Sequence, residues 1–475
     1  MRRLLPLTAA LLLSACASLP SSQPPQSVQA ALDKAGLTSE QLGVVAFPLD
    51  ARGSGLRIQA DRPMQPGSAM KLITAAVSLD KLGPNARAQT ELLADAPAIS
   101  GMQDGALAGP LYLRGGADPD LGWGALHTML RELRDQGVRE IRGGLVVDRN
   151  LFNPARRDIG APPFDEQPEF PYNVIPDALM FNGNLLEFVL ESDATTLHAR
   201  ATPALPGVTV DVGDIKLADT PCKDWENGWQ IPSTEALTVH LHGQFPRNCK
   251  VRQELNVIDR QWLATQALRM MWRELGGTIT GPDTEGTTPA TARVLATHRG
   301  RPLAEELRGV LKESDNALTR LAFLQLGASE AQPGEATAAV ADRLVRQWFA
   351  SKNIPTEGLV LENGSGLSRS ERVTATQLAG LLAASHDGLH GPELLSTLPV
   401  AGVDGTLSHR MKGTPAEGLA RMKTGTLNNA IGLAGYVPDA SGRLWVVAAM
   451  VNAPQAGRGR PVLDAVALWV RAQRP

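Results

Sequence analysis

One junction restricts the fold of this chain more than any other. At Gln65-Pro66-Gly67-Ser68-Ala69-Met70-Lys71-Leu72-Ile73-Thr74 a Pro-Gly turn runs directly into an apolar segment. That succession predicts a turn followed by a buried helix. On such a helix Ser68 and Lys71 stand at i and i+3 and share a face. A serine hydroxyl is inert at its own pKa, but a neutral lysine amine within hydrogen-bond reach can take its proton. The free backbone N–H of a serine at a helix N-terminus can also help to hold an oxyanion. The S-x-x-K pattern is weak alone, and Ser78-Leu79-Asp80-Lys81 repeats it. There Gly83-Pro84 stops the helix, so Lys81 is expected to be a solvated charge at the helix C-terminus rather than a base.

Two further motifs stand far along the chain. Glu313-Ser314-Asp315-Asn316 follows an apolar stretch at helical spacing (residues 303–311) and sets a hydroxyl and a carboxamide two residues apart. Arg421-Met422-Lys423-Thr424-Gly425-Thr426-Leu427 reads as a strand. Gly425 would let a substrate backbone come close, and Lys423, Thr424 and Thr426 could grip the carboxylate of a peptide added to the edge. Residues 446–451 are the expected partner strand. Together and in this order, S-x-x-K, S-D-N and K-T-G are the signature of class A β-lactamases and penicillin-binding proteins.

The distance from Ser68 to Ser314 is far longer than a compact β-lactamase allows, so a large insertion must separate the first two motifs. In this layout the chain resembles the class C low-molecular-mass penicillin-binding proteins, the D-alanyl-D-alanine carboxypeptidase/endopeptidase family. Gly364-Ser365-Gly366-Leu367-Ser368-Arg369, Leu398-Pro399-Val400-Ala401-Gly402-Val403-Asp404-Gly405-Thr406-Leu407 and residues 428–436 are similar to it as well. The resemblance implies an α/β (α+β) fold: a penicilloyl-serine-transferase, β-lactamase-like domain with an antiparallel sheet flanked by helices, interrupted by two smaller β-containing lobes. The expected boundaries are 30–90 and 255–475 for the catalytic domain, 91–175 for the first lobe and 176–254 for the second.

The same resemblance implies roles. Ser68 is the acyl-enzyme nucleophile and Lys71 its general base, kept neutral in part by the charge of Lys423. Ser314 relays the proton to the departing amine, and Asn316 orients Lys71 and the substrate amide. Lys423, Thr424, Gly425 and Thr426 bind the substrate, and the N–H groups of Ser68 and Thr426 form the oxyanion hole. The implied substrates are peptidoglycan stem peptides and the implied inhibitors β-lactams, with no metal or cofactor required. Asp148 and Arg369 are expected to take the amine and the carboxylate that end the side chain of the stem's diamino acid; the alternative is that both are ordinary solvated charges. A β-lactamase or esterase on this fold and a non-catalytic wall-binding scaffold are the competing readings. Glu254-Leu255-Asn256 is like the deacylating loop of class A β-lactamases, but it precedes S-D-N and has Arg252 where the glutamate would stand. It is expected to be a domain-crossing segment. Asp118-Pro119 follows Gly115-Gly116-Ala117, slightly off the family's Gly-Asp-Pro form.

A net charge of −3 with 4% aromatic residues excludes the basic, stacking surface of a nucleic-acid-binding protein. Arg2 and Arg3 precede a short apolar core, and Leu13-Ser14-Ala15-Cys16 resembles a bacterial lipobox. Residues 1–16 are then a signal peptide and Cys16 the lipidated first residue of the mature chain. Ordinary cleavage after Ala17 is the alternative, and either way the chain is exported. Ala17 next to the cysteine points to a periplasm-facing lipid anchor in the outer membrane. The Ser/Pro/Gln-rich residues 17–29 are expected to be a flexible tether, overlapping an amphipathic helix at 28–36. Cys222 and Cys249 are the remaining pair and are expected to form a disulfide. His240 and His242 alternate on one strand face, but no third metal ligand accompanies them. No later stretch is apolar over a length that spans a bilayer.

Overall fold

A computed structural model describes the protein over residues 20–160 and 167–474. Its centre is a five-stranded antiparallel sheet in the order Arg421–Leu427, Ala430–Pro438, Leu444–Asn452, Leu42–Pro48, Leu56–Ile58. The strand Leu444–Asn452 shows why its sequence is a nearly unbroken apolar run. Val446, Ala448 and Met450 face a core shared with the helices Lys71–Leu82 and Ala375–Asp387. Trp445, Val447, Ala449 and Val451 face a second core, closed by the helices Gln26–Ala35 and Arg460–Arg471. Successive side chains of a strand point to opposite faces, and helices cover both. Arg421–Leu427 is left at one edge of this sheet.

The chain leaves this domain after Lys71–Leu82 and re-enters it at the helix Leu303–Glu313. Between them lies a mixed five-stranded sheet in the order Asp283–Glu285, Leu145–Asp148, Leu111–Gly116, Gln89–Asp95, Ala292–Arg299. The helix Trp123–Asp135 buries Leu126, Met129, Leu130 and Leu133, a one-sided stripe at i, i+3, i+4 and i+7. The helix Arg260–Glu274 packs into the same core. A second lobe holds two three-stranded sheets, Lys250–Leu255 with Leu186–Ser192 and Leu197–Thr202, and Thr209–Ala218 with Thr238–Pro246 and Trp229–Glu235. Its Phe188, Leu241 and Phe245 share one core with Leu92, Leu113 and Leu130 of the first lobe. Cys222 and Cys249 are bonded to each other in this lobe, 27 residues apart. Closing such a loop stabilises the fold by roughly 3–4 kcal/mol on the chain-entropy model.

Two expected boundaries need correction. The catalytic domain does not resume at residue 255. Arg260–Glu274 and Ala292–Arg299 belong to the first lobe, because Ala292–Arg299 pairs antiparallel with Gln89–Asp95 and Leu263, Leu268 and Trp272 fill that lobe's core. Nor do residues 20–29 form a free tether. Ser21 donates to and accepts from the backbone beside Leu56, and the helix Gln26–Ala35 buries Val28 and Leu32 before Gly36 ends it in a left-handed conformation. Cys16 and the expected signal segment lie outside the described residues. His240 pairs with Asp211 at 2.9 Å and His242 with Asp214 at 3.3 Å along the second lobe's parallel strands. Among the described residues no group of three or more His, Cys, Asp or Glu is placed to hold a metal ion.

Candidate active site

The Pro-Gly turn enters a single 3-10 turn, Gly67–Met70, and the α-helix proper begins at Lys71. Ser68 therefore stands one turn ahead of the α-helix. In 3-10 geometry residues i and i+3 eclipse, which sets Lys71 Nζ 3.0 Å from Ser68 Oγ. The same amine lies 2.6 Å from Asn316 Oδ1 and 2.6 Å from the carbonyl oxygen of Ser365. A neutral amine has two N–H donors and one lone pair. Ser68 Oγ and the two carbonyl-type oxygens all stand where they accept from this amine, and once the amine is neutral its two N–H groups serve the carbonyl-type acceptors and its lone pair is left for the Ser68 hydroxyl. Burial holds the Lys71 pKa well below its usual value, and the nearby Lys423 ammonium lowers it further. Ser78 instead faces the core, fully buried, and Lys81 is 3.7 Å from Glu330 at the far end of the helix.

The second motif is a corner between two helices. Leu303–Glu313 ends on Ser314, whose φ of 63° is left-handed, a conformation uncommon for a residue with a side chain and frequent at functional sites. Asp315 caps the next helix, Asn316–Ala328, by accepting from Leu318 N–H at 2.8 Å. The corner turns Ser314 and Asn316 to the same side. Ser314 Oγ is 2.9 Å from Lys423 Nζ, which also donates to the Thr424 carbonyl at 2.8 Å. Lys423 is fully buried, and burial brings its pKa down to about 7. Thr424 Oγ1 donates to Thr406 Oγ1 at 2.7 Å, which ties the edge strand to the Leu398–Leu407 stretch singled out in the sequence. Lys312 reinforces the joint by pairing with Asp404 at 2.5 Å.

Gly425 is required by packing. A Cβ there would overlap the Pro66 carbonyl and come within 2.9 Å of the Ser68 and Ala69 nitrogens. The strand thus lies flush against the serine turn. A Cβ on Gly67 would in turn meet Thr426 N at 2.9 Å, so the backbones of Ser68 and Thr426 border one small space.

Glu371 is a residue that motif reading missed. It is fully buried; Oε1 accepts from the N–H groups of Glu362, Asn363 and Gly364 at 3.1, 3.0 and 2.7 Å, and Oε2 from Gly366 at 2.7 Å. The loop so gathered presents the Ser365 carbonyl to Lys71. Gly366 in this loop has φ 82°, and a side chain there would strike the Gly67 carbonyl. An acid just after a Gly-Ser-Gly run was the available signal. Tyr172 was missed as well: its carbonyl accepts from Asn316 Nδ2 at 3.2 Å, and it stands within residues 153–176, where closely spaced prolines leave no periodicity to read.

Ser68, Asn316, Thr426, Tyr172 and Arg369 line one open cavity of about 660 Å³. Arg369 thus lies on the wall of the cavity that holds Ser68. Asp148 is a correction. It is 5% exposed, and its two oxygens accept from Asn150 N–H and Nδ2 at 2.9 Å and from Thr288 N–H at 2.7 Å. Those bonds close a turn of the first lobe and account for the carboxylate without a ligand. Asp118 is likewise internal, bonded to His298 Nδ1 at 2.6 Å. Glu254 lies in the second lobe's sheet and lines a separate cavity with Asp120 and Asp315.

A serine and lysine packed against the edge strand of an antiparallel sheet between two helical layers define the penicilloyl-serine-transferase class. Within it, residues 25–473 match the D-Ala-D-Ala carboxypeptidase 3 (S13) family. The chain belongs to that family of serine-type D-Ala-D-Ala carboxypeptidases. It is 31% identical over 435 residues to a D-alanyl-D-alanine carboxypeptidase of Actinomadura sp. (strain R39), covering 88% of this chain and 79% of that one. It is 27% identical over 412 residues to D-alanyl-D-alanine carboxypeptidase DacB of Haemophilus influenzae, covering 83% and 81%. The crystal structure of penicillin binding protein 4 (dacB) from Haemophilus influenzae shares the fold, with a TM-score of 0.76, 23% identity and coverage of 93% of this chain and 97% of that one.

Proposed function

We propose that this chain removes the terminal D-alanine of peptidoglycan stem peptides through an acyl-enzyme on Ser68. Lys71 takes the Ser68 proton as the oxygen attacks the D-alanyl carbonyl, and the Ser68 and Thr426 N–H groups hold the resulting oxyanion. Ser314 passes a proton to the departing amine as the C–N bond breaks, and water then cleaves the ester and frees the serine. Lys423 and Thr424 hold the substrate's terminal carboxylate at the edge strand. The same acylation splits a cross-bridge when the departing amine belongs to the diamino acid of a neighbouring stem. A β-lactam, being a strained amide, acylates the same oxygen. The observation that carries the reading is the Lys71 amine, whose three neighbours suit a neutral base aimed at Ser68.

Ser68→Ala tests it. That variant should lose covalent labelling by fluorescent penicillin and D-alanine release while its melting temperature stays nearly unchanged, and Ser78→Ala should label normally. Labelling of Ser68→Ala would sink the assignment. Rapid turnover of a chromogenic cephalosporin by the wild type would favour the β-lactamase reading instead.

We place the enzyme in the periplasm, tethered by a lipid on Cys16 to the outer membrane. The motif Leu13-Ser14-Ala15-Cys16 supports this; among the described residues no helix is long and apolar enough to cross a membrane. Cys16→Ser should move the protein to the soluble fraction. A wild-type mature chain that begins at Ser18 and carries no lipid would rule the anchor out.

A further inference from the structure

The cleft has a second cationic wall that the reaction just described does not use. Beyond the strand Leu444–Asn452 the chain makes a short 3-10 turn, Ala456–Gly459, entered through Gln455 at a left-handed φ of 56°. This turn is fastened to the far end of the edge strand: Ala456 N–H donates to the Asn428 carbonyl at 3.2 Å and Ala453 N–H to the Asn429 carbonyl at 3.1 Å. It sets Arg458 and Arg460, both exposed, on the wall of the same cavity as Ser68, Thr426 and Arg369. Neither guanidinium has an acidic partner among the described residues. Of the described residues lining the cavity, three are arginines and none carries a carboxylate. Such a wall selects an anion.

The direction of a bound peptide follows from the site. Its terminal carboxylate belongs at Lys423 and Thr424, and its reacting carbonyl belongs at Ser68 and Thr426. Added to the open edge, the peptide therefore runs antiparallel to the strand, and its acyl portion passes Leu427 and Asn428. An extended chain advances about 3.3 Å per residue, so the residue two before the reacting D-alanine reaches the level of Asn428 and the Arg458 turn. In a stem peptide that residue is a glutamyl unit linked through its γ-carbonyl, which leaves its α-carboxylate free. We infer that Arg458 and Arg460 form a subsite for this free α-carboxylate, separate from the Arg369 side of the cleft. The inference rests on the D-Ala-D-Ala carboxypeptidase reading above and names which stem peptides that site prefers.

The test uses the full chain and four synthetic pentapeptides. They are the free acid, its counterpart amidated at the glutamyl α-carboxylate, its counterpart amidated at the diamino acid carboxylate, and the doubly amidated form. The readout is the ratio of kcat/KM for D-alanine release, free acid to glutamyl amide, in the wild type and in the double variant Arg458→Gln/Arg460→Gln. A ratio cancels any damage common to both substrates. The wild type should prefer the free glutamyl acid by about 3- to 10-fold at low salt, the range expected of exposed, charge-assisted contacts. The preference should shrink as salt is added and fall to about 1 in the double variant. No preference in the wild type overturns the subsite, and so does a preference that survives in the double variant. Loss of discrimination against the diamino acid amide alone also overturns it, since the arginines would then serve the Arg369 side. If the wild type releases no D-alanine from any peptide, the carboxypeptidase reading fails, a result distinct from a flat ratio among active substrates.

Discussion

Asn316→Asp changes one atom of the site and inverts its electrostatics. Asn316 is 9% exposed, and its Oδ1 sits 2.6 Å from the buried Lys71 amine. A carboxylate in that place attracts an ammonium by about 6 kcal/mol at an effective dielectric constant near 20. Burying the new charge opposes this by several kcal/mol. A net of about 3 kcal/mol raises the Lys71 pKa by roughly 2 units. The base must be neutral to accept the Ser68 proton, so a higher pKa moves the acid limb of the rate profile to higher pH by the same roughly 2 units, and acylation on the acid side of the limb falls on the order of 100-fold. Stopped-flow acylation by a fluorescent penicillin between pH 5 and 10 reads both quantities. Asn316→Ala serves as the neutral comparison: it loses the contact but should leave the limb at or below its wild-type position. If Asn316→Asp lowers the plateau without moving the limb, Lys71 is not the base whose ionisation limits acylation, and the reasoning fails.

Two further outcomes follow from buried carboxyls. Glu371→Gln must turn a donor toward one of the four N–H groups that Glu371 gathers, so the melting temperature should drop and the acylation plateau fall about 10-fold or more. Because the Glu371 charge raises the Lys71 pKa, its removal should move the acid limb to lower pH, opposite to Asn316→Asp; an unmoved limb would reduce Glu371 to a purely structural role. Glu306 is 4% exposed, and burial together with Asp120 pushes its pKa from 4.5 to about 8. The folded state then holds a proton that the unfolded state releases, so stability falls as pH rises from about 4.5 through 8, by at most about 5 kcal/mol. Glu306→Gln should match the wild type near pH 5 and melt several degrees higher at pH 8.5; equal melting at both pH values would show that Glu306 ionises normally.

The chemistry of the centre was legible in the sequence because it depends on short-range facts. Ser68 and Lys71 share a turn whether that turn is 3-10 or α, and Lys423 and Gly425 hold their places on a strand by its two-residue period. The strand at 446–451 was legible for the same reason, since an apolar run of that length has few other places to go, but its expected pairing was not: Arg421–Leu427 pairs with Ala430–Pro438, and Leu444–Asn452 lies one strand further into the sheet. Cys222 and Cys249 had only each other once Cys16 was set aside. Long-range partnership was not legible. Nothing local says that Ser314 meets Lys423, that a carbonyl 294 residues away completes the Lys71 site, or that Arg260–Glu274 and Ala292–Arg299 return to a sheet begun at Gln89. Asp148 makes the point most directly. In the sequence it is an acid ending a strand, available to a ligand, and only the fold brings Thr288, 140 residues on, to join the neighbouring Asn150 in satisfying it. A charged side chain in a sequence states what it could bind. What it does bind depends on which donors the tertiary structure carries to it first, because a buried carboxylate cannot be left unpartnered.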